Sequence, residues 1–237
     1  MELRLLTTEN ERGVFLTRLD KARAKHGGSF RENSQFQSIN RRRLDCSQLY
    51  GLFQNESAPA EGMVAGVAMH DLRSFPQSCD QPDVSYLPPE TVAECSDHWS
   101  LSSGAGMVAW AGLAVPMRLL GIQAVLAYLA AGETECAHAG FYELMGFVSA
   151  GPLVSHPFVE DARGERLLVQ PVILQGEAFK NAMTALSQAC IEYSDDARVF
   201  HLKNLIRPLV RRASARTALS QATHASIQAS QGLVEAG

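Results

Sequence analysis

The chain has 237 residues, 46% of them hydrophobic and 19% charged, with a formal net charge of −4. That apolar content is enough to bury the core of one large domain and excludes a disordered polyelectrolyte. The slightly acidic balance leaves no overall electrostatic footprint for nucleic acid, so no nucleic-acid partner is expected.

In chain order, the start "MELRLLTTENERGVF" has no apolar run of the signal-peptide type, which points to a cytoplasmic protein. "LRLL" (3–6) predicts a short strand. Residues 9–26 place Val14, Phe15, Leu19 and Ala22 near helical spacing, and Gly27-Gly28 stops that helix. The polar stretch "SFRENSQFQSINRRRLDC" (29–46) reads as a second helix, with Arg41, Arg42 and Arg43 on a solvated face. "QLYGLFQNE" (48–56) and "GMVAGVAMHDL" (62–72) are strand-like and separated by a Pro- and Gly-containing loop, as in a hairpin. Residues 74–90, rich in Pro, Ser, Asp and Gln, read as a long surface loop.

A strand is predicted at roughly 97–102, running into Ser103-Gly104-Ala105-Gly106. From there to Leu120 the composition is helical, with a kink expected at Pro116 and a stop at Gly121. "AVLAYLA" (124–130) is a continuous apolar run of strand length, as a strand buried on both faces requires. A short helix at about 134–145 comes next. "FVSAGPLVSHP" and "RLLVQPVIL" (166–174) then face each other as antiparallel partners. The longest apolar stretch, Met107 to Leu120, contains Pro116 and Arg118 and falls short of the ~20 residues a membrane span needs.

This order predicts an α/β chain: a mixed sheet with a parallel step in its centre, flanked by helices. Residues 1–176 form the main domain. Residues 177–212 form a C-terminal helical extension, and 213–237, dominated by Ala, Ser, Gln and Thr, a disordered tail. In 197–212, Val199, Leu202, Leu205, Ile206 and Leu209 share one face and Lys203, Arg207, Arg211 and Arg212 lie elsewhere. Such a helix docks on its own domain or on a second copy, giving a possible homodimer; an acyl-carrier protein or a membrane surface are further partners for it.

The five cysteines are odd in number, widely spaced and without a CxxC, which reads as reduced thiols rather than a disulfide framework. Cys95 with His98, and Cys136 with His138, bring thiols and imidazoles together, but their spacings are not those of a common zinc motif, so no metal is assigned. No GxSxG occurs to anchor a hydrolase triad. The stretch that carries chemistry is the strand ending in Gly104-Ala105-Gly106. A Gly-x-Gly turn that opens a helix lets backbone approach a ligand, and the first N–H groups and the helix dipole favour an anion. There is no full GxGxxG and no Walker lysine, so neither a dinucleotide fold nor a P-loop is supported.

With "HAGFYELMGF" (138–147), the stretch "LSSGAG" (101–106) completes a pattern. A strand, a glycine loop, a helix, a buried strand and a helix with a tyrosine before a Gly-Phe step follow in order. Over residues 48–175 the chain resembles the GCN5-related N-acetyltransferase superfamily. Leu101 departs from the Gln or Arg usual at that loop position. An alternative placement of the loop at Arg118–Gln123 recovers the arginine but leaves too little chain before Gly146 for a helix, a strand and a helix.

The resemblance implies an acyl-CoA-dependent N-acyltransferase. Acetyl-CoA or another acyl-CoA is the co-substrate, and the amine of a small molecule or amino-acid-like acceptor attacks its thioester directly. It implies that Leu101, Ser102, Ser103, Gly104, Ala105, Gly106 and Met107, with His138, contact the coenzyme, and that Tyr142 protonates the departing thiolate. A general base aids the amine. Glu94, Asp97 and His98 are the candidates at the start of the preceding strand, with His98 first because it titrates near neutrality. Two other readings stand beside this one. The first is a long-chain N-acyl synthase fed by an acyl-carrier protein. The second is a non-catalytic binding module on the same fold.

Overall fold

A computed structural model describes the backbone of residues 1–26, 30–32, 34–55, 58–101, 104–130, 139–161 and 165–192. The chain opens with β1 (Glu2–Leu5), α1 (Glu9–His26), β2 (Phe30–Glu32) and α2 (Ser34–Cys46). The hairpin of β3 (Gln48–Phe53) and β4 (Met63–Asp71) comes next, then β5 (Val92–Ser100), α3 (Ala105–Leu119) and β6 (Ala124–Ala130). The described chain closes with α4 (Ala139–Met145), β7 (Val148–Ser149), β8 (Val154–Asp161), β9 (Arg166–Gln175) and α5 (Gly176–Glu192).

The strands make one nine-stranded sheet in the order β1-β3-β4-β5-β6-β9-β8-β2, with β7 also pairing to β9. All its pairings are antiparallel except β5 with β6. The mixed sheet with a central parallel step is therefore present as expected. The parallel pair follows from the connection: β5 must reach β6 through α3, and a helical crossover returns the chain in the same direction.

Each face of the sheet has its own core. On one, Val67, Met69, Ala93, Cys95, Val125 and Ala127 pack under α3 and α5. On the other, Leu49, Phe53, Ala68 and Trp99 pack with Phe15, Leu19 and Leu44 of α1 and α2. Local chemistry sets the helix ends. Thr8 and Glu11 form a capping box: the Glu11 N–H donates to Thr8 Oγ1 at 3.2 Å, and the Thr8 N–H donates to Glu11 Oε2 at 3.3 Å. At the end of α3 the Gly121 N–H donates to the Arg118 carbonyl and the Ile122 N–H to the Met117 carbonyl. That pattern needs a left-handed residue, and Gly121 sits at φ +72°. The Arg118–Gln123 loop placement is thereby excluded, because these residues end a helix instead of starting one.

Several expectations change. The 29–46 stretch contains β2 before its helix. β5 begins at Val92, five residues before the predicted strand (97 − 92). α3 carries Pro116 within it and continues to Leu119. Arg41 and Arg42 are exposed, but Arg43 is 8% exposed and belongs to the interior. The 74–90 segment is anchored, with Cys79 and Val84 buried. Gly27, Gly28, the first residues of the predicted 134–145 helix and everything after Glu192 lie outside the described residues. Among the described residues no helix is long and apolar enough to cross a membrane.

Candidate active site

The central feature is where β5 and β6 part. Their parallel register covers Val92↔Ala124, Ala93↔Val125 and Glu94↔Leu126. Beyond that, β6 stays with β9 as far as Ala130↔Val169, while β5 stays with β4 to Ala65↔Ser100. The cause is visible in β5. Ala68 pairs with Ser96 and Gly66 with Trp99, so Asp97 and His98 together oppose Val67. This is a β-bulge, which bends its strand and leaves a residue out of the ladder. Asp97 takes φ 51°, the only positive φ at a non-glycine among the described residues. Asp is one of the few residue types that tolerates this region.

α3 starts beside this parting. Gly104, at φ +83°, precedes the helix as its N-cap residue and, being glycine, supplies no side-chain cap. The first bond inside the helix is Val108 N–H to the Gly104 carbonyl at 3.2 Å. Helix geometry leaves the N–H groups of Ala105, Gly106 and Met107 without helical acceptors. A Cβ at Gly106 would lie 2.5 Å from His98 Nε2 and 2.6 Å from its Cε1. Glycine at 106 thus lets the imidazole lie against the helix backbone. Met107 is half-buried against the core, and the Leu101 side chain points outward, 57% exposed. Ser102, Ser103 and His138 lie outside the described residues.

Tyr142 approaches the same helix. Its ring meets Trp110 edge-on with centroids 5.9 Å apart, and Phe147 at 5.0 Å. Trp110 and Phe147 also touch, at 6.1 Å. α4 ends as α3 does: the Gly146 N–H donates to the Glu143 carbonyl and the Phe147 N–H to the Tyr142 carbonyl, with Gly146 at φ +88°. The Tyr142–Phe147 contact is the apolar contact that commonly accompanies this helix stop. Trp110 is one turn beyond Gly106 along α3, so His98 and Tyr142 meet one ridge of the helix about 5–6 Å apart along it.

On the opposite face of the sheet lies a polar cluster. Arg43 Nη1 donates to Glu94 Oε1 at 2.9 Å and to Ser78 Oγ at 3.1 Å, and Arg43 Nη2 pairs with Asp97 Oδ2. The Ser78 N–H donates to Glu94 Oε2 at 2.9 Å, and the Ser78 hydroxyl donates to Oε1. The 74–90 segment is therefore tied to β5. Of the candidate bases, Glu94 and Asp97 belong to this cluster and His98 to the α3 side. Arg43 is the residue the sequence reading missed. Ile39, Arg43, Leu44 and Ser47 share helical spacing, and all four are buried or half-buried. That phase was the available signal.

His70 completes the cluster. It pairs with Glu94 across β4 and β5, with Nε2 3.9 Å from Glu94 Oε2. Neither ring nitrogen has a hydrogen-bond partner among the described residues. Burial, chiefly, holds its pKa below the usual 6.5, and Arg43 adds to this, while Glu94, Asp97 and Asp71 oppose it. Burial likewise lowers the half-buried His156 and raises the Tyr128 phenol. Because folded His70 binds its proton more weakly than unfolded His70, the unfolded chain takes up the proton first as pH falls. The stability due to neutral His70 is complete above about pH 6.5 and is lost below it, by at most about 1.4 kcal/mol per pH unit. His70→Leu is expected to flatten the acid limb of a Tm–pH curve; an unchanged limb would assign the slope elsewhere.

Burial pushes the Cys95 thiol up, which makes it a poor thiolate ligand. Among the described residues no group of three His, Cys, Asp or Glu side chains is placed to hold a metal ion; Cys136 and His138 lie outside them.

No family model matches the sequence, and no curated protein gives a significant match. Many solved structures are similar to it. FeeM, an N-acyl amino acid synthase from uncultured soil microbes, is 14% identical with a TM-score of 0.46, covering 72% of this chain and 88% of that one. Ribosomal-protein-alanine N-acetyltransferase from Brucella melitensis is 14% identical with a TM-score of 0.48, covering 74% of this chain and 100% of that one. The protein yncA from Salmonella typhimurium, solved with its cofactor acetyl-CoA, is 14% identical with a TM-score of 0.47, covering 74% of this chain and 93% of that one. At these values the neighbours' acceptors, cofactors and activities remain their own, and what this chain displays by itself is the mixed sheet, its one parallel pair and the glycine-led helix between those strands.

Proposed function

We propose that the chain is an acyl-CoA-dependent N-acyltransferase of the GCN5-related kind, moving an acetyl or other acyl group to the amine of a small-molecule or amino-acid-like acceptor. One observation carries this reading. β5 and β6 part beside a glycine-led helix end, where the His98 ring lies against Gly106 and the Tyr142 ring meets Trp110 one turn further along.

The fit to a coenzyme rests on α3. The N–H groups of Ala105, Gly106 and Met107, which have no acceptor within the helix, suit a diphosphate, with Leu101, Ser102 and Ser103 leading into the turn and His138 just before α4 in sequence. The bound thioester supplies the activated acyl carbon. The amine nitrogen forms a bond to the acyl carbon while His98 accepts its proton; an N–H bond breaks, an imidazole N–H forms, and the imidazolium later gives that proton to solvent. Where β5 and β6 part, a main-chain N–H of the splayed strands stabilises the negative charge on the former carbonyl oxygen. As the C–S bond breaks, Tyr142 donates its phenolic proton to sulfur, and the phenol regains one from solvent. Gly106 keeps His98 at the helix backbone, so its side of the reaction depends on having no Cβ there.

A thermal-shift titration with acetyl-CoA, followed by a thiol-release screen over an amine panel, tests this. Saturation at about 100 Kd is expected to stabilise the chain by about 2.7 kcal/mol. A shift confined to long-chain acyl-CoA or acyl-carrier protein would replace acetyl transfer by long-chain acyl synthesis. No shift and no thiol release with any donor would leave a non-catalytic module.

A further inference from the structure

We propose that Arg43 is a positioning residue for this reaction: it holds the β5 bulge that parts β5 from β6, acting through Glu94 and Asp97 from the face of the sheet opposite α3. This rests on the transferase reading of the site.

A residue with a Cβ held in the left-handed region costs about 1–3 kcal/mol and persists only where its surroundings over-determine it. Asp97 is such a residue, and its surroundings supply the constraint. Its carboxylate accepts from Arg43 Nη2 and, at 2.8 Å, from the Ser96 hydroxyl. The other arm of the same guanidinium holds Glu94 at 2.9 Å. Glu94 is the last β5 residue in parallel register with β6, and Asp97 is the residue at which β5 bulges. A single planar fork therefore spans the two backbone points between which the strands separate. Guanidinium suits this because its donors are fixed relative to one another; an ammonium is a point charge without that geometry.

Arg43 is itself anchored. The Ser47 hydroxyl donates to its carbonyl at 2.7 Å, and Arg12 Nη2 donates to the neighbouring Leu44 carbonyl at 2.7 Å. Leu44 is buried with Phe15 and Leu19 of α1. A rigid path thus runs from α1 and α2 through Arg43 to the bulge. The residue after Asp97 is His98, whose ring lies on Gly106 across the sheet. Arg43 need touch no substrate for its loss to move the imidazole.

The test uses the full chain and reads backbone exchange as well as turnover. In Arg43→Lys, amide hydrogen exchange over residues 95–99 is expected to rise about ten-fold while 124–127 stays unchanged. Its kcat should fall about ten- to a hundred-fold, with KM for acyl-CoA held, because misplacement affects the reacting geometry. In Asp97→Asn, amide exchange over 95–99 should stay close to wild type, since asparagine tolerates the left-handed region and still accepts from Arg43. Asp97→Ala should behave like Arg43→Lys. Wild-type exchange at 95–99 in Arg43→Lys overturns the proposal. So does exchange at 95–99 that is as fast in Asp97→Asn as in Asp97→Ala, which would show that hydrogen-bond geometry at Asp97 does not hold the bulge. If the wild-type chain shows no turnover with any donor, the transferase reading fails, while the exchange contrast still decides whether Arg43 holds the bulge.

Discussion

Arg43→Met is expected to destabilise the chain by about 3–5 kcal/mol, the cost of leaving buried carboxylates without their partner. Arg43 is 9% exposed at its side chain, Glu94 1% and Asp97 5%, so solvent does little to screen the loss. The reason lies in desolvation. Glu94 keeps its bonds from Ser78, but these do not replace a full positive charge. The contrasting variant is Arg43→Met combined with Glu94→Gln and Asp97→Asn. It removes the charges together, and buried charges replaced together are often tolerated. Most of the stability should return in this triple variant. Urea midpoints at constant slope measure both. A single variant within about 1 kcal/mol of wild type would mean that water reaches these carboxylates freely.

Tyr142→Phe is expected to lower kcat by about a hundred-fold or more while leaving acyl-CoA affinity and stability nearly unchanged, since a positioned acid contributes ~10²–10⁴. Phenylalanine keeps the ring's contacts to Trp110 and Phe147, so the aromatic packing is preserved. The same contacts supply the competing explanation. Tyr142 provides the carbonyl that accepts from Phe147 N–H and meets the Phe147 ring edge-on where α4 stops. An aromatic at that place is accounted for by helix termination alone. Burst kinetics with substrate variants of differing thiol acidity would separate the two: an acid role makes the Tyr142→Phe deficit largest for the poorest leaving group. An unchanged rate would return Tyr142 to helix termination.

Much of the architecture was legible because its signals are local. β6 coincides with the apolar run 124–130, and Gly121 and Gly146 both end helices at positive φ. The β3–β4 hairpin and the antiparallel pairing of 147–157 with β9 followed from strand-like runs and turn residues, while the pairing of β9 with β6 did not. The Gly104–Gly106 turn was legible as a helix start, and its order relative to β5 and β6 implied the parallel step. The start of β5 was not, because "VAEC" pairs with β4 and β6 only after both are in place.

By itself, the sequence determined most of the strands and helices, which segments must be buried, and that one parallel crossover sits at the centre. Those properties depend on neighbours three or four residues away. Tertiary structure alone decided that Arg43 leaves its run of arginines for the interior, that Asp97 bulges out of register, and that His98 lies against Gly106. Each is a contact between residues distant in sequence but a few ångströms apart in space. Its energy comes from desolvation and hydrogen-bond geometry that exist only once the sheet has formed, so no local pattern encodes it.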